Sequence, residues 1–153
     1  MVPSRDCVVL IAQYEGCKLV AYLCPAGIPT IGYGATWHID ANRKVALGDK
    51  ITQRQADKWL NMTIAKVAGE VENLAKVLTQ GQLDALVSFT FNLGSTYLAN
   101  STLLELHRKG LYAQASEEFK KWNKARVGGV LKVLPGLTAR RNAERLLYIK
   151  QVP

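Results

Sequence analysis

EGCKLVAYLCPAGIPTIGYG, residues 15–34, decides how this chain is read. The run carries one carboxylic acid, Glu15, two thiols, Cys17 and Cys24, and a threonine hydroxyl at Thr30. Just before it, Ser4 is placed to cap a helix that ends near Glu15, with Cys7, Leu10, Ile11 and Tyr14 on one face. Within and after it, Pro25, Gly27, Pro29, Gly32, Gly34 and Gly48 break any helix, while Thr30, Ile31, Tyr33, Thr36 and Trp37 suit short strands. The spacing therefore predicts a small hairpin sheet between Gly16 and Gly48. Taken one at a time, the polar residues are unremarkable: a solvated helix-end glutamate, a small hydrophobe at Cys24, a strand threonine. Glu15 nevertheless opposes the dipole at the end of its helix, a first hint that it serves a purpose.

Further along, the signals turn helical. Thr52-Gln53-Arg54-Gln55 is a capping box opening a long amphipathic helix, with Ala56, Trp59, Leu60, Ile64, Val67, Val71 and Leu74 at helical spacing. Thr79-Gln80-Gly81-Gln82 is a second box. The segment after it, LDALVSFTFNLG, is apolar nearly all round and reads as the buried centre of a bundle, stopped by Gly94. Shorter helices follow over 101–110 and 112–123, then a Gly128-Gly129 turn, then a basic helix entered through Pro135. The expected architecture is α+β in one domain of two lobes. Residues 1–50 give the first helix and the sheet, 52–77 a connecting helix, and 79–153 a helical bundle, with a cleft where sheet meets bundle.

Composition narrows the function classes. The chain has 153 residues, enough to bury a core without disulfide staples, and a formal net charge of +8. Lysine and arginine are densest over 120–150, which favours attraction to a polyanion such as nucleic acid, a membrane or an anionic cell wall. No nucleic-acid motif stands out, so specific nucleic-acid binding is not expected. Three cysteines cannot all pair within one chain. Their spacing, with only His38 and His107 as histidines, makes a zinc site improbable. The apolar patch at 8–12 is too short for a signal peptide or a membrane span of roughly 18 residues. The protein is expected to stay in a host cytoplasm until released, or to have an export segment outside this sequence.

The opening stretch resembles the phage-type lysozymes, or endolysins, of glycoside hydrolase family 24, whose signature has the form E-G-x-x-L-x-A-Y-x-D-x-x-G-x-x-T-I-G-Y-G. Here it reads Glu15-Gly16, Leu19, Ala21-Tyr22, Cys24, Gly27 and Thr30-Ile31-Gly32-Tyr33-Gly34. ITQRQADKWL, QLDALVSFTFNLG, STLL, FKKWN and GLTARRNAERLL continue the likeness in order along the chain. The resemblance implies the two-lobed fold and cleavage of the β-1,4 bond between N-acetylmuramic acid and N-acetylglucosamine in peptidoglycan, by a monomer without metal or cofactor. The alternative is a catalytically impaired, cationic wall-binding or membrane-permeabilising protein, with the C-terminal helix as its membrane agent.

By the resemblance, Glu15 is the general acid and Thr30 the water-holding hydroxyl. Arg141 in the last helix is the arginine that supports the acid, and Tyr33, Phe91 and Asn92 are substrate contacts. Burial favours the protonated form of such an acid and a neighbouring arginine the ionised one. Only the aspartate position departs, as Cys24, and the family's histidine after GYG has no counterpart before His38. Three readings of Cys24 stay open: a working substitute for the aspartate, the mark of a dead site, or a bystander to Glu15 and Thr30. Some relatives carry cysteine there and some use a disulfide lock. A Cys17–Cys24 bridge would consume the thiol, and reduction or exchange with Cys7 would restore it.

Overall fold

The computed structural model describes residues 1–150. It is mixed α+β, with seven α-helices and three two-stranded antiparallel sheets among the described residues. The Cα framework divides into two compact units, one of Met1–Leu10 with Ile64 onward, the other Ile11–Thr63.

The smaller unit begins inside α1 (Arg5–Glu15). The first strands, β1 (Lys18–Leu23) and β2 (Pro29–Gly32), pair antiparallel, with Tyr22 opposite Thr30 and Leu23 opposite Pro29. A register shift lies between Lys18 and Tyr22. Two short strands, β3 (Trp37–His38) and β4 (Arg43–Lys44), make a second ribbon. These strands fall within the expected 16–48 stretch, where Pro25 and Gly27 mark a turn and leave 18–23 as the partner of 29–32. Ile31, Val45, Ile51, Ala56 and Trp59 form this unit's core. The last two come from α2 (Gln53–Ala75), whose N-terminus carries the expected reciprocal box. Gln55 N–H donates to Thr52 Oγ1 (3.1 Å) and Thr52 N–H to Gln55 Oε1 (2.9 Å).

In the larger unit, α3 (Gln80–Leu93) is capped by the Thr79/Gln82 box and buried without a break over residues 81–90. Ser4, expected as the α1 cap, instead gives both its N–H (2.8 Å) and its hydroxyl to the Asp84 carboxylate. The short helices are α4 (Ser95–Ala99), α5 (Thr102–Arg108, capped by Ser101) and α6 (Tyr112–Glu118), the last running into a 3-10 turn at Phe119–Lys121. A hairpin absent from the sequence reading follows: β5 (Lys124–Val127) and β6 (Val130–Val133) around Gly128-Gly129. The final helix, α7 (Pro135–Ile149), packs against α3. Gly81 permits that approach, since a Cβ there would run into the Leu147 carbonyl oxygen.

The inner face of α7 is charged rather than apolar. Arg140, Arg141 and Glu144 are all buried. Glu144 accepts the Ser88 hydroxyl (2.6 Å) and lies 2.7 Å from Arg141 Nε and 3.4 Å from Arg140 Nε. Arg140 also donates to the Ser88 carbonyl (3.2 Å). Burial pushes the Glu144 carboxyl up, against the pull of Arg141, Ser88 and Arg140. On the outer face Arg145 pairs with Glu117 (3.0 Å), and Lys150 just beyond the helix lies 3.4 Å from Asp6. The helix read as a cationic membrane agent has therefore turned its arginines to internal pairing.

Candidate active site

Glu15 is the last residue of α1, half-buried, and the chain turns away from it at Gly16 with φ +67°. Its neighbour is the end of the TIGYG motif. A Cβ placed on Gly34 would come within 3.3 Å of Glu15 Oε2, and Gly34 has φ +85°. The second glycine of GYG thus leaves the space beside the carboxylate open and takes a left-handed conformation that side-chain-bearing residues avoid. The sequence motif contained this glycine, but its role depends on α1 and the β2 turn meeting, which no local pattern encodes.

We expect Gly34→Ala to cost about 1–2 kcal/mol of stability from the positive φ. Displacing the Glu15 carboxyl should cut turnover about 10- to 100-fold. Thermal melts and turbidity assays of purified peptidoglycan measure the two effects. Full activity in the variant would show that the carboxylate tolerates the extra methyl.

Cys24 and Thr30 sit on one face of the β1–β2 hairpin, two residues beyond the Tyr22–Thr30 pair and across from Ile28. Cys24 N–H donates to the Ile28 carbonyl (3.0 Å) and Gly27 N–H to the Cys24 carbonyl (2.8 Å), closing a tight turn. Hydrogen bonding from the Ile28 N–H, followed by those of Ala26, the Thr30 hydroxyl and Cys24 itself, holds the thiol below its ordinary value, against desolvation. Thr30 is buried, and its hydroxyl donates to the Ile28 carbonyl (2.8 Å). The turn at Cys24 is closed by backbone hydrogen bonds, so the residue types at 26 and 28 carry no sign of it.

The other thiols do not join this site. Cys17 and Cys24 flank β1 at opposite ends, and the six residues of strand between them, at about 3.3 Å each, hold them far beyond the roughly 7 Å limit for a disulfide. The hairpin expected to set them face to face instead keeps them apart, and all three cysteines are free. Cys17 Sγ lies 3.7 Å from Gln53 Nε2. Cys7 is fully buried, and burial first, then Asp84 and Glu144, pushes its thiol up to about 12. A thiol so protonated and enclosed has no thiolate with which to exchange.

Tyr33, expected as a substrate contact, has its hydroxyl fastened to α2: it donates to Asp57 Oδ1 (2.9 Å) and accepts from Gln53 Nε2 (3.1 Å). Phe91 and Asn92, half-buried near the end of α3, lie in the larger unit. Asn92 Oδ1 accepts from Arg141 Nη2 (2.9 Å). Arg141 is gripped by this amide, by Glu144 and by the Phe89 ring, 5.2 Å from its guanidinium carbon. Glu144 was missed in the sequence, though R-R-x-x-E places its carboxylate one helical turn from both arginines. Among the described residues, no group of three or more His, Cys, Asp or Glu side chains could hold a metal.

A helix ending in a glutamate, a small antiparallel hairpin closing on TIGYG, and a bundle built on a buried central helix are the architecture of a phage-type lysozyme. The phage lysozyme family pattern matches residues 12–144, and the chain belongs to that family. It is 46% identical over 146 residues to the endolysin of Acyrthosiphon pisum secondary endosymbiont phage 1, covering 95% of this chain and 96% of that one. It is 38% identical to the endolysin of Bacillus phage B103, covering 95% of this chain but 53% of that longer protein. Among solved structures, it is similar to an endolysin from Escherichia coli O157:H7 phage FAHEc1, with a TM-score of 0.90, 38% identity and coverage of 99% and 96%. More particularly, it is an endolysin, a glycoside hydrolase that breaks down peptidoglycan in phage lysis.

Proposed function

We propose that the chain cuts the β-1,4 bond between N-acetylmuramic acid and N-acetylglucosamine, and that it belongs with those lysozymes in which cysteine replaces the usual aspartate. What supports this reading is the place of Cys24 in the hairpin, across from Ile28 and on the same face as Thr30, with its thiol held below the ordinary value.

In this mechanism Glu15 gives its proton to the glycosidic oxygen as that bond breaks. A water attacks the anomeric carbon, and its proton passes to the Cys24 thiolate. Thr30 has one hydroxyl proton to give. It rests on the Ile28 carbonyl while the thiol is neutral and turns to the sulfur, or to the water, when the thiolate forms. Solvent exchange then returns the proton from Cys24 to Glu15. Arg141 acts as the supporting cation, held in place by Glu144 and Asn92. The Tyr33 and Phe91 rings and the Asn92 amide N–H₂ supply substrate contacts, the Asn92 carbonyl being taken by Arg141.

The net charge of +8 draws the monomer to the anionic envelope once it leaves the host cytoplasm. No helix among the described residues is long and apolar enough to cross a membrane. Digestion of purified peptidoglycan, borohydride reduction and mass spectrometry test the bond assignment. The expected products carry N-acetylmuramic acid at every new reducing end. Reduced N-acetylglucosamine, or anhydro sugars in place of reducing ends, would refute it.

A further inference from the structure

Among the described residues the β5–β6 ribbon pairs with no other strand, and its apolar residues are exposed to solvent. Val127, Val130, Leu131 and Val133 are 45%, 56%, 55% and 55% exposed. Val127 faces Val130 across the pair nearest the Gly128-Gly129 turn, with Leu131 next along, so the tip is aliphatic. The cations stand behind it. Lys132 lies two residues back from Val130 and Lys124 three back from Val127, about 7 and 10 Å at strand spacing. Arg126 stands nearer the turn than either lysine, opposite Leu131, and donates to the Gly129 carbonyl (3.2 Å), fastening the turn. Residues 119–143 contain no Asp or Glu, and among the described residues no carboxylate pairs with Lys124, Arg126 or Lys132.

We propose that this ribbon docks tip-first on an anionic lipid bilayer. An aliphatic tip with ammonium groups 7–10 Å behind it matches a surface that is apolar inside and phosphate-bearing outside, where interfacial segments sink about 5–10 Å. A glycan strand fits less well. Residues 124–133 include no aromatic ring on which a sugar could stack and no carboxylate or amide side chain to bond its hydroxyls. The arginines of α7 are internally paired, so the ribbon rather than that helix presents free cations beside exposed aliphatic groups.

Vesicle co-sedimentation tests this with wild type, Val130→Ser/Leu131→Ser, and Leu146→Ser as a comparison on exposed α7. Vesicles of phosphatidylglycerol and phosphatidylethanolamine are used at about 0.3 M salt, where the Debye length falls well below 10 Å and general attraction to the cationic chain is weak. Wild type and Leu146→Ser should sediment equally, and the ribbon variant should partition at least tenfold less. All three should keep the wild-type rate on purified peptidoglycan. In a separate variant, Val130→Trp, the emission should move to the blue on these vesicles and not on phosphatidylcholine alone. Several outcomes would overturn the proposal: no sedimentation of wild type, equal sedimentation of the ribbon variant, or no blue shift. A loss of peptidoglycan cleavage would assign the ribbon to the substrate instead. A wild-type dimer in gel filtration that the ribbon variant dissolves would assign it to a second copy of the chain.

Discussion

Glu15→Gln should abolish peptidoglycan hydrolysis, with kcat falling about 10³-fold or more, while substrate binding changes little. The leaving sugar oxygen needs a proton as its bond to the anomeric carbon lengthens, and general acids contribute about 10²–10⁴ to such steps. An amide of nearly the same shape can donate a hydrogen bond to that oxygen but cannot surrender the proton. Glutamine also keeps the volume that the carboxyl fills beside Gly34, so a circular dichroism spectrum of the wild-type kind should accompany the loss. Release of reducing ends from purified walls is the decisive readout. A variant keeping more than a tenth of the wild-type rate would move the acid elsewhere. If Glu15→Gln still kills permeabilised cells at the wild-type level, lysis runs through the envelope rather than through glycan cleavage.

The parts of this molecule that sequence reveals are those in which local rules and tertiary demands agree. The two T-x-x-Q boxes form as written because their hydrogen bonds close within four residues. The nearly all-apolar run after Gln82 is buried over residues 81–90 because it has no extended polar face to turn to water, and Asp84 and Ser88 within it are paired with Ser4 and Glu144. Ser4 shows the opposite case: its local preference for capping is overridden by Asp84, eighty residues away. The β5–β6 ribbon escaped because exposed Val and Leu next to Lys fit neither a half-buried strand nor a helix face, and only its Gly-Gly turn was legible. At the site, the resemblance placed Glu15, Cys24 and Thr30, but their setting comes from backbone groups and from a glycine whose missing side chain is the feature. The disulfide reading failed because cysteines seven apart in sequence look close until the intervening residues become a strand.

The exchange at position 24 yields the second large effect. Cys24→Ala should lower kcat about 10²-fold or more, the usual worth of a base in this role, whereas Cys24→Asp should stay within about tenfold of wild type. The reason lies in the turn, not in sulfur. The surroundings that hold the thiol below its ordinary value favour an anion at this position, so a carboxylate should serve there where a neutral methyl does not. Serine, which stays neutral, should resemble alanine. The two active forms must then differ in pH dependence. Lowering the pH protonates the thiolate, so the wild-type rate falls as pH drops through the thiol's value, which the turn sets below that of an ordinary cysteine. An aspartate, ordinarily near 3.9, keeps its charge far into acid. The ratio of Cys24→Asp to wild-type rates should therefore climb as pH is lowered from 8 to 5, about tenfold for each unit below the thiol's value. A ratio that stays flat across that range, or an alanine variant as fast as wild type, would mean that the thiolate takes no proton from the attacking water and that Glu15 and Thr30 work without it.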